Sequence, residues 1–543
     1  MQVRKNTPET AYGSGSFWRM FRSSDLNRIT LKAKRVLQQH CDFLNSPCRL
    51  NRRFSLCQRG ERMLKKTFSY ILLFLGVFLA STACWIVTKF GNVTTEQLLF
   101  HLYMPLDADI KTIEQFVRKT IRPSAEVLIF FFAANKFFSK KRCVRIFFDR
   151  YFFGFSMAVF IGGIAFSVLK LNVANWFHDS FSQKSTFYET YYADPAKVKM
   201  TFPDKKKNLV LIFVESLEAT FSDKDGDNLI PKTAEIALKK GINFSDTDGL
   251  GGAEQVAATG WTQAALVSQT CGIPLRLPIN GNQLNMYKFF LPKARCLYDV
   301  LKDNGYHERF LIGTKATFAG MDIFFDSHGG LKIHDRVFYA KKYNKGKKVK
   351  RLYDVKLYNL AKTELEDLAA GKEPFVFGMM TMDTHFATDH FEKSVCEQKY
   401  PEAAVYKNVI SCADNQLSDF LNWLEQQPYY KNTTVVVVGD HLAMNSQDFH
   451  DGERRRVFNL FLNAAKQPVR RARRKFATMD IYPTIMDALG VDVEGDRLGL
   501  GTSLFSDKPT VLEQIGDTER FNEQMMKRSA VYDWLLYGQE LPR

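Results

Sequence analysis

The chain has 543 residues and a formal net charge of +17, with 45% hydrophobic and 14% aromatic residues. This length and apolar content allow a large globular core together with membrane segments. Residues 1–66 contain fifteen Lys and Arg but only four Asp and Glu. Since a hydrophobic segment follows and no nucleic-acid recognition motif is present, the positive-inside rule explains this charge, and we expect no nucleic-acid partner.

The N-terminal arm, residues 1–62, contains Gly, Ser and Asn but no sustained apolar periodicity. This composition predicts a disordered or loosely helical cytoplasmic arm. The stretch from Met63, MLKKTFSYILLFLG, is also typical of the start of a membrane protein. The sequence therefore leaves two possibilities open, a translated arm from Met1 or a true start at Met63.

Three apolar stretches predict a membrane region. Residues 67–89 are long enough to cross a bilayer, and their length and the lack of a clear cleavage site predict an uncleaved anchor. Shorter, Phe-rich stretches follow at 123–139 and 151–169, and five Lys and Arg lie between them within 140–150. With that linker and the N-terminus in the cytoplasm, the positive-inside rule predicts three crossings and an outer location for everything after about residue 171.

The middle stretch is the weakest of the three because it contains Glu126 and Lys136. An interfacial hairpin is the alternative there, and a topology with one crossing leaves the soluble part on the same, outer side. The chain is accordingly divided into a basic arm at 1–66, a membrane region with about three helices at 67–170, an interfacial aromatic linker at 171–200, and a soluble domain at 201–543.

The soluble domain alternates strand-like and helix-like segments. Such alternation predicts an α/β fold with a mostly parallel central sheet covered by helices on both faces. We expect a short terminal helix in the tail after residue 505. The predicted strands are 208–214, 309–313, 374–380, 432–438 and 458–464, and the predicted helices are 296–306, 357–370 and 403–426.

Two of these strands are followed by residues of types that commonly bind metals. Glu215 follows the apolar run 208–214, and Asp440 and His441 follow four consecutive valines and Gly439. Because the carboxyl ends of parallel strands form the crevice where ligands bind, these three residues can converge. Two carboxylates and an imidazole near a hydroxyl predict a site for a divalent cation.

A glycine-rich stretch at 251–274, GGAEQVAATGWTQAALVSQTCGIP, supplies the hydroxyl. It predicts a loop that leads into a helix with Thr259 at the junction. A helix N-terminus carries unpaired N–H groups that stabilise a phosphate oxygen, so we expect Thr259 to be a nucleophile. Thr262 is expected to cap the same turn.

Other polar residues have alternative interpretations. His385 and His390 follow the strand ending near Met380 and are either substrate-binding and proton-transferring groups or surface histidines. His450 could reach the site from the loop after Gly439–Asp440–His441. Arg454–Arg456 either hold a phosphate or face solvent, and His328 and Cys271 are expected to be structural.

The nine cysteines divide between the predicted compartments. Cys41, Cys48, Cys57 and Cys143 fall on the cytoplasmic side and Cys84 in the membrane. The remaining four, Cys271, Cys296, Cys396 and Cys412, are expected in an oxidising periplasm, where disulfides are favoured. Four cysteines can pair in three ways, and the sequence leaves all three open.

Several of these motifs together resemble a known family. The chain is similar to phosphoglycerol transferases of the alkaline phosphatase and sulfatase superfamily. The motifs that carry this resemblance are VESLE, TGWT at 259–262, CGIPL at 271–275, GDH, TTEQLLFHL at 94–102, THF at 384–386 and TMDIYPTIMDALG at 478–490. Lipoteichoic acid synthases and phosphoethanolamine transferases are more distant relatives with the same layout. The resemblance covers roughly residues 65–505.

The resemblance implies a function. It implies that Glu215, Asp440, His441 and the Thr259 oxygen bind Mn²⁺ or Zn²⁺, that Thr259 becomes phosphorylated, and that His385 contacts substrate. A membrane enzyme would then move phosphoglycerol from phosphatidylglycerol to a hydroxyl of a cell-envelope glycan in the periplasm, with His385 or His450 carrying the proton.

One departure from the family pattern keeps two alternatives open. Ala319 and Met321 stand where the family has a basic or aromatic phosphate contact. A phosphoethanolamine transferase acting on lipopolysaccharide is therefore an alternative. A non-catalytic membrane protein that kept only the fold is the other alternative.

Overall fold

The computed structural model describes residues 47–90, 95, 98–99, 110–174, 176–177, 184–276, 289–385, 390–444 and 454–538. The chain divides into two compact units, each combining two separate segments. The first unit contains the described residues of Met1–Val77 together with Ser124–Gly162, and the second those of Phe78–Pro123 together with Gly163–Arg543.

Long apolar helices form the first unit. The helix Pro47–Phe90 begins there, and its Gly76 lies against a neighbouring helix so closely that a Cβ at this position would be 2.6 Å from the carbonyl oxygen of Val159. Phe148 and Phe152 are buried in the same unit. A glycine at residue 76 therefore allows the close packing of two helix backbones.

Within the described residues, two helical segments are long and apolar enough to cross a membrane by length and composition, Arg62–Lys89 and Arg142–Lys170. They coincide with the first and third predicted crossings. The second predicted crossing forms a 17-residue helix, Arg122–Phe138, but it is not one of these two segments. The arrangement with three crossings stays a prediction.

A seven-stranded sheet forms the centre of the second unit, and a short strand, β1 (Met200–Thr201), lies outside it. The strands of the sheet are β2 (Asn208–Val214), β3 (Gly252–Ala253), β4 (His307–Ile312), β5 (Lys332–His334), β6 (Phe375–Met380), β7 (Thr433–Gly439) and β8 (Val457–Leu462). Their order is β3-β8-β7-β2-β6-β4-β5. Strands β7, β2, β6, β4 and β5 are parallel, whereas β8 pairs antiparallel with β7, and β3 pairs antiparallel with β8. This arrangement confirms the predicted mostly parallel sheet.

Alternate residues of β2 pack on opposite faces of this sheet. Leu209, Leu211 and Phe213 belong to one hydrophobic cluster, and Val210 and Ile212 belong to the other. All seven residues of the strand are buried. A strand covered on both faces must be apolar at every position, which explains why the sequence shows an unbroken apolar run rather than an alternating one.

Helices cover both faces of the sheet, as predicted. Phe187, which belongs to the predicted interfacial linker, is buried in the hydrophobic core, so part of this linker packs against the soluble domain. Three short helices rather than one occupy the described part of the tail. The α-helices of the second unit after residue 184 are Phe187–Tyr191, Pro231–Lys239, Thr262–Cys271, Leu297–Asp303, Met321–Ser327, Arg336–Tyr343, Asp354–Ala369, Val405–Glu425, Ile481–Ala488, Val511–Ile515, Thr518–Met526 and Ala530–Tyr537.

The four cysteines expected in an oxidising compartment form two disulfides. Cys271 pairs with Cys296, and Cys396 pairs with Cys412. The structure thus selects one of the three pairings that the sequence allows. His328, close to the first disulfide, is buried, and its Nδ1 and Nε2 contact Asp299 and the Phe290 carbonyl oxygen at 2.8 Å each. These contacts support a structural role for His328.

Candidate functional site

Three polar side chains meet at the carboxyl ends of β2 and β7. The two strands are direct neighbours, with Val214 opposite Gly439, so the next residues, Glu215 and Asp440, emerge side by side. His441 follows immediately. Parallel pairing therefore brings together residues that are about 225 positions apart in the sequence.

The side-chain atoms of this trio are close together and largely unsatisfied. His441 Nε2 lies 3.3 Å from Asp440 Oδ2 and 3.5 Å from Glu215 Oε1. Neither Asp440 Oδ2 nor His441 Nε2 has a hydrogen-bond partner within the described part of the chain. The side chains of Asp440 and His441 are fully buried. Buried polar atoms without partners are costly, so these atoms indicate a site that takes a ligand.

The remaining atoms of the trio are held in place. Asp440 Oδ1 accepts hydrogen bonds of 2.8 Å from the N–H groups of Ser216 and His441. His441 Nδ1 lies 2.8 Å from the carbonyl oxygen of Leu442, which it can reach only as a donor. This contact leaves Nε2 with its lone pair, the state in which a histidine binds metal.

Burial and mutual charge shift the pKa values of the trio. Burial raises the pKa of Asp440, and the nearby charge of Glu215 raises it further. For His441, burial lowers the pKa, but the charges of Asp440 and Glu215 outweigh burial and raise it above its ordinary value. Two carboxylates this close to each other need a neutralising cation, either a proton or a metal ion.

The donor set suits a divalent metal. Glu215, Asp440 and His441 offer two carboxylate oxygens and one imidazole nitrogen within 4.8 Å of one another. This combination is typical of zinc and manganese sites, and three protein ligands leave a position open for a reacting group. The unpaired Asp440 Oδ2 and His441 Nε2 are the atoms that such an ion would satisfy.

The loop that carries Thr259 packs against the same strand end. The helix predicted here is confirmed as Thr262–Cys271, and Thr259 lies in the loop three residues before it. Thr259 is fully buried, and its hydroxyl donates a 2.8 Å hydrogen bond to the carbonyl oxygen of Val256. The preceding residue, Ala258, has a φ of 58°, a conformation that residues other than glycine rarely adopt.

The expected cap from Thr262 is wrong. Trp261 occupies the N-cap position, Thr262 is already the first helical residue, and no side chain caps the helix. A cap residue must precede the first helical turn so that its oxygen can reach the N–H groups beyond it. The helix therefore begins one residue earlier than a cap at Thr262 would require.

Two glutamines that the sequence analysis missed tie this loop to the segment that carries Asp440 and His441. Gln255 Oε1 accepts a 2.7 Å hydrogen bond from the N–H of Leu442. Gln269 Nε2 donates to the carbonyl oxygens of Gly439 and Asp440 at 2.9 and 3.0 Å. Since they flank Thr259 on either side, they hold its loop against the segment that bears Asp440 and His441. The helix that begins at Thr262 contains two glutamines, Gln263 and Gln269, and no local pattern distinguishes the one that reaches the strand end.

The segment after β6 lies beside Glu215. The Thr384 hydroxyl donates to the carbonyl oxygen of Glu215, and the Glu215 N–H donates to Thr381 Oγ1 at 3.1 Å. His385 is the next residue and is half-buried. His385 therefore follows directly on a residue that contacts the backbone of Glu215.

A buried carboxylate pair, also missed by the sequence analysis, supports the same segment. Asp354 accepts hydrogen bonds from the N–H groups of Met382 and Asp383, and Asp383 accepts one from the N–H of Asp354. Burial raises the pKa of both carboxyls. Asp354 and Asp383 lie far apart in the sequence, and only the adjacent ends of β6 and the helix Asp354–Ala369 bring them together.

The other proposed polar residues are engaged elsewhere or lie outside the described residues. His390 stacks on Tyr353 with ring centroids 3.5 Å apart, and its Nε2 lies 3.3 Å from Glu392. His450 lies outside the described residues. The three arginines pair with carboxylates: Arg454 with Asp246, Arg455 with Glu218, and Arg456 with Asp246 and Glu254.

Ala319 and Met321 lie in the hydrophobic core. Each is about 1% exposed, and Ala319 has a φ of 53°. Their side chains pack among apolar residues of the larger cluster. Neither residue can supply the basic or aromatic phosphate contact that the family resemblance implies at these positions.

Comparison with known proteins identifies a family and several relatives. The Sulfatase family model matches residues 207–491. Phosphoglycerol transferase I of Salmonella typhimurium is 34% identical over 332 residues, which cover 59% of this chain and 41% of that protein. Phosphoglycerol transferase I of Escherichia coli is 33% identical over 333 residues with the same coverage. The chain thus matches about two fifths of the length of these relatives.

Solved structures also align with this chain. The lipoteichoic acid synthase LtaP of Listeria monocytogenes aligns with a TM-score of 0.44 and 18% identity, covering 57% of this chain and 79% of that one. The lipooligosaccharide phosphoethanolamine transferase A of Neisseria meningitidis aligns with a TM-score of 0.48 and 11% identity, covering 94% and 95%.

Proposed function

The chain belongs to the sulfatase family, and on that basis we propose that it is a metal-dependent transferase of phospholipid head groups. The proposed reaction moves phosphoglycerol from phosphatidylglycerol to a hydroxyl of a periplasmic or cell-envelope glycan. The two phosphoglycerol transferases that match this chain support the choice of head group. A metal site beside a threonine loop supports the type of reaction.

One observation carries this proposal. Asp440 Oδ2 and His441 Nε2 are buried without hydrogen-bond partners in the described part of the chain, 3.3 Å apart and directed at Glu215. A merely structural cluster would satisfy these atoms internally. A bound Mn²⁺ or Zn²⁺ would supply Lewis acidity that lowers the pKa of a nearby hydroxyl and stabilises charge on phosphoryl oxygens.

Thr259 is the proposed nucleophile. Its Oγ1 forms a bond to the phosphorus, the phosphorus–oxygen bond to diacylglycerol breaks, and diacylglycerol leaves with a proton on its oxygen. The Thr259 proton passes first to a base, and His385 is the candidate within the described residues. Val256, whose carbonyl oxygen accepts the Thr259 hydrogen bond at 2.8 Å, orients the hydroxyl before the reaction.

The second half of the reaction reverses the first. The acceptor hydroxyl loses its proton to a base, bonds to phosphorus and displaces Thr259, which regains a proton. His385 or His450 carries this proton in our proposal. Two sequential displacements at one phosphorus account for the use of a covalent intermediate rather than direct transfer.

Membrane anchoring agrees with a lipid donor. The spans Arg62–Lys89 and Arg142–Lys170 precede the domain that holds the site. We place the basic arm in the cytoplasm, about three helices in the inner membrane and the sulfatase domain in the periplasm. Both disulfides lie in that domain, as expected for an oxidising compartment.

A phosphoethanolamine transferase that modifies lipopolysaccharide is the second candidate. The observation that favours it is that Ala319 and Met321 are apolar and buried, so neither supplies the basic or aromatic phosphate contact that the family resemblance implies at these positions. The metal site and Thr259 would serve either head group. Only the group attached to phosphorus differs.

Mass spectrometry of the purified full-length protein tests the proposal. The protein is incubated with phosphatidylglycerol or with phosphatidylethanolamine, digested, and the Thr259 peptide is analysed. We expect phosphoglycerol on Thr259 with the first lipid, whereas phosphoethanolamine with the second would support the alternative. An unmodified peptide with both lipids, from protein that retains its metal, would contradict the covalent mechanism and favour a non-catalytic protein.

A further inference from the structure

A cavity between apolar helices of the second unit lies outside the site described above. Its volume is about 770 Å³, within the range of roughly 300–1,000 Å³ typical of small-molecule sites. Its walls come from the C-terminal part of the helix ending at Phe90, from residues around the π-helical turn Val117–Ile121, and from Phe166. Neither the metal ligands nor Thr259 contribute to it.

The lining includes both apolar and cationic side chains. Ala80 and Phe166 are among the apolar ones, and Lys89, Arg118 and Lys119 are the cations. Ala80 and Lys89 are nine residues apart on one helix, which separates them by about 14 Å at 1.5 Å per residue. A ligand that fills this cavity therefore has a negative head and an apolar body.

The cations are held at one end. The Lys89 ammonium is buried and donates a 2.7 Å hydrogen bond to Gln115 Oε1. Arg118 and Lys119 lie in the π-helical turn and are exposed. Within the described part of the chain, neither forms an ion pair with a carboxylate. Wide π-helical turns are frequent at functional sites because they redirect side chains.

The cationic end lies where the chain leaves the helices for the sulfatase domain. The Thr95 hydroxyl, which follows the helix ending at Phe90, donates a 2.9 Å hydrogen bond to the carbonyl oxygen of Leu171. Leu171 follows the helix Phe152–Lys170, directly before the chain continues to the domain. In the proposed topology this end faces the outer side, where basic residues are disfavoured, so their presence there favours an anionic partner.

We propose that this cavity binds one anionic diacyl phospholipid, with its phosphate at Arg118 and Lys119 and its upper acyl chains along Ala80 and Phe166. The inference rests on the proposed function in one respect, because it identifies the bound lipid as the donor waiting beside the catalytic domain. The charge complementarity and the amphipathic lining do not depend on that function.

The test uses the purified full chain in neutral detergent, with native mass spectrometry as the readout of lipid binding. Phosphatidylglycerol is compared with zwitterionic phosphatidylcholine. The variant Arg118→Gln/Lys119→Gln is compared with Lys140→Gln/Arg142→Gln, which removes the same two residue types at the exposed turn between two other helices. A further variant, Cys84→Trp, fills the cavity without a change of charge.

We expect the wild-type protein and the Lys140→Gln/Arg142→Gln control to prefer phosphatidylglycerol. The Arg118→Gln/Lys119→Gln variant should bind it about 30-fold more weakly, which is about 2 kcal/mol at about 1 kcal/mol per basic residue. Cys84→Trp should weaken the binding of both lipids. Unchanged metal content and a single gel-filtration peak show that each variant is folded.

Any of three results would overturn the proposal. The first is that the Arg118→Gln/Lys119→Gln variant and its control bind phosphatidylglycerol equally, and the second is that Cys84→Trp leaves lipid binding unchanged. The third is that water-soluble glycerol 3-phosphate displaces the lipid at equal concentration. Failure of the proposed function would look different. If the wild-type protein binds the lipid in this cavity but never releases diacylglycerol, the lipid site stands and the transferase activity is wrong.

Discussion

The carboxylate of Asp440 accepts a 2.8 Å hydrogen bond from the N–H of Ser216, although 224 residues separate the two positions. Ser216 has a φ of 56°, an uncommon conformation for serine, which turns its N–H towards the neighbouring strand end. Its hydroxyl also donates a 2.8 Å hydrogen bond to Glu215 Oε1. One residue thus positions both carboxylates of the proposed metal site.

Removing a ligand should remove the metal. We expect Glu215→Ala or Asp440→Ala to lose bound metal and turnover together, because only two strong protein ligands remain in each variant. The measurement is metal content per folded protein by inductively coupled plasma mass spectrometry. Asp414→Asn is the matched control, because Asp414 is a buried carboxylate that instead accepts hydrogen bonds from the N–H groups of Lys232 and Thr233. Full metal occupancy in the Glu215 and Asp440 variants would contradict the assignment of these residues as metal ligands.

Gln269 should matter without touching the metal. Gln269→Leu removes the hydrogen bonds to the carbonyl oxygens of Gly439 and Asp440, and outer partners of this kind typically contribute about 10–100-fold to metal affinity or activity. We expect a loss in this range, measured by metal titration and by diacylglycerol release. Gln427→Leu is the control, because among the described residues the Gln427 side chain donates only to the carbonyl oxygen of Trp423, four residues earlier. Equal affinity in the two variants would mean that Gln269 does not position the ligands.

Much of this site followed from the sequence, because it depends on local patterns. The apolar runs before Glu215 and Asp440 predicted buried strands, and parallel strands must present their ends at one edge. The antiparallel strand β8, the disulfide pairing and the contacts of Gln255 and Gln269 depend on which distant segments become neighbours. No local pattern encodes that choice, so they emerged only from the folded structure.

The topology remains a prediction that a reporter can test. The Lys and Arg residues at 140–150 predict a cytoplasmic turn and an outer domain. A reporter that is active only outside the cytoplasm, fused after Met200, should therefore be active, and the same reporter fused after Lys141 should be inactive. Activity of the second fusion alone would reverse the proposed localisation.

Glu308 should make stability fall with rising pH. Burial raises the pKa of this carboxyl to about 8 from 4.5, with a further contribution from Asp299 and Asp303 that Lys302 opposes. Glu308 Oε1 is buried without a hydrogen-bond partner among the described residues. The unfolded chain loses this proton at lower pH than the folded one. The stability that protonated Glu308 contributes is therefore fully present below about pH 4.5 and is lost as the pH rises towards 8.

The variant Glu308→Gln removes this titration. Its melting temperature should fall less than that of the wild-type protein between pH 6 and 8, and the two curves should run parallel above pH 9. Differential scanning calorimetry of the full chain provides the measurement. Asp303→Asn, at an exposed neighbouring residue, controls for the loss of one negative charge. Parallel curves from pH 6 upwards would show that Glu308 is already ionised in the folded protein.

The last prediction separates Thr259 from Thr262, because both hydroxyls lie near the start of one helix. Thr259 belongs to the loop held by Gln255 and Gln269 against the metal-ligand segment, and its hydroxyl is already oriented by Val256. Thr262 is the first residue of the helix. Trp261, between them, has an extended backbone with φ −149° and ψ 158°, so Thr259 lies outside the helix and the two hydroxyls are held by different local structures.

Thr259→Ala should therefore keep its metal and fold but release no diacylglycerol and form no covalent intermediate. Thr259→Ser should restore part of both, because it returns a hydroxyl at the same position. Thr262→Ala should retain turnover, and its stability should change little from capping, since Trp261 rather than Thr262 stands at the cap position. Diacylglycerol release is measured by thin-layer chromatography and the intermediate by mass spectrometry. If Thr259→Ala still released diacylglycerol in a metal-dependent way, the attacking group would be Thr262 or water, and the covalent phospho-threonine mechanism would be wrong.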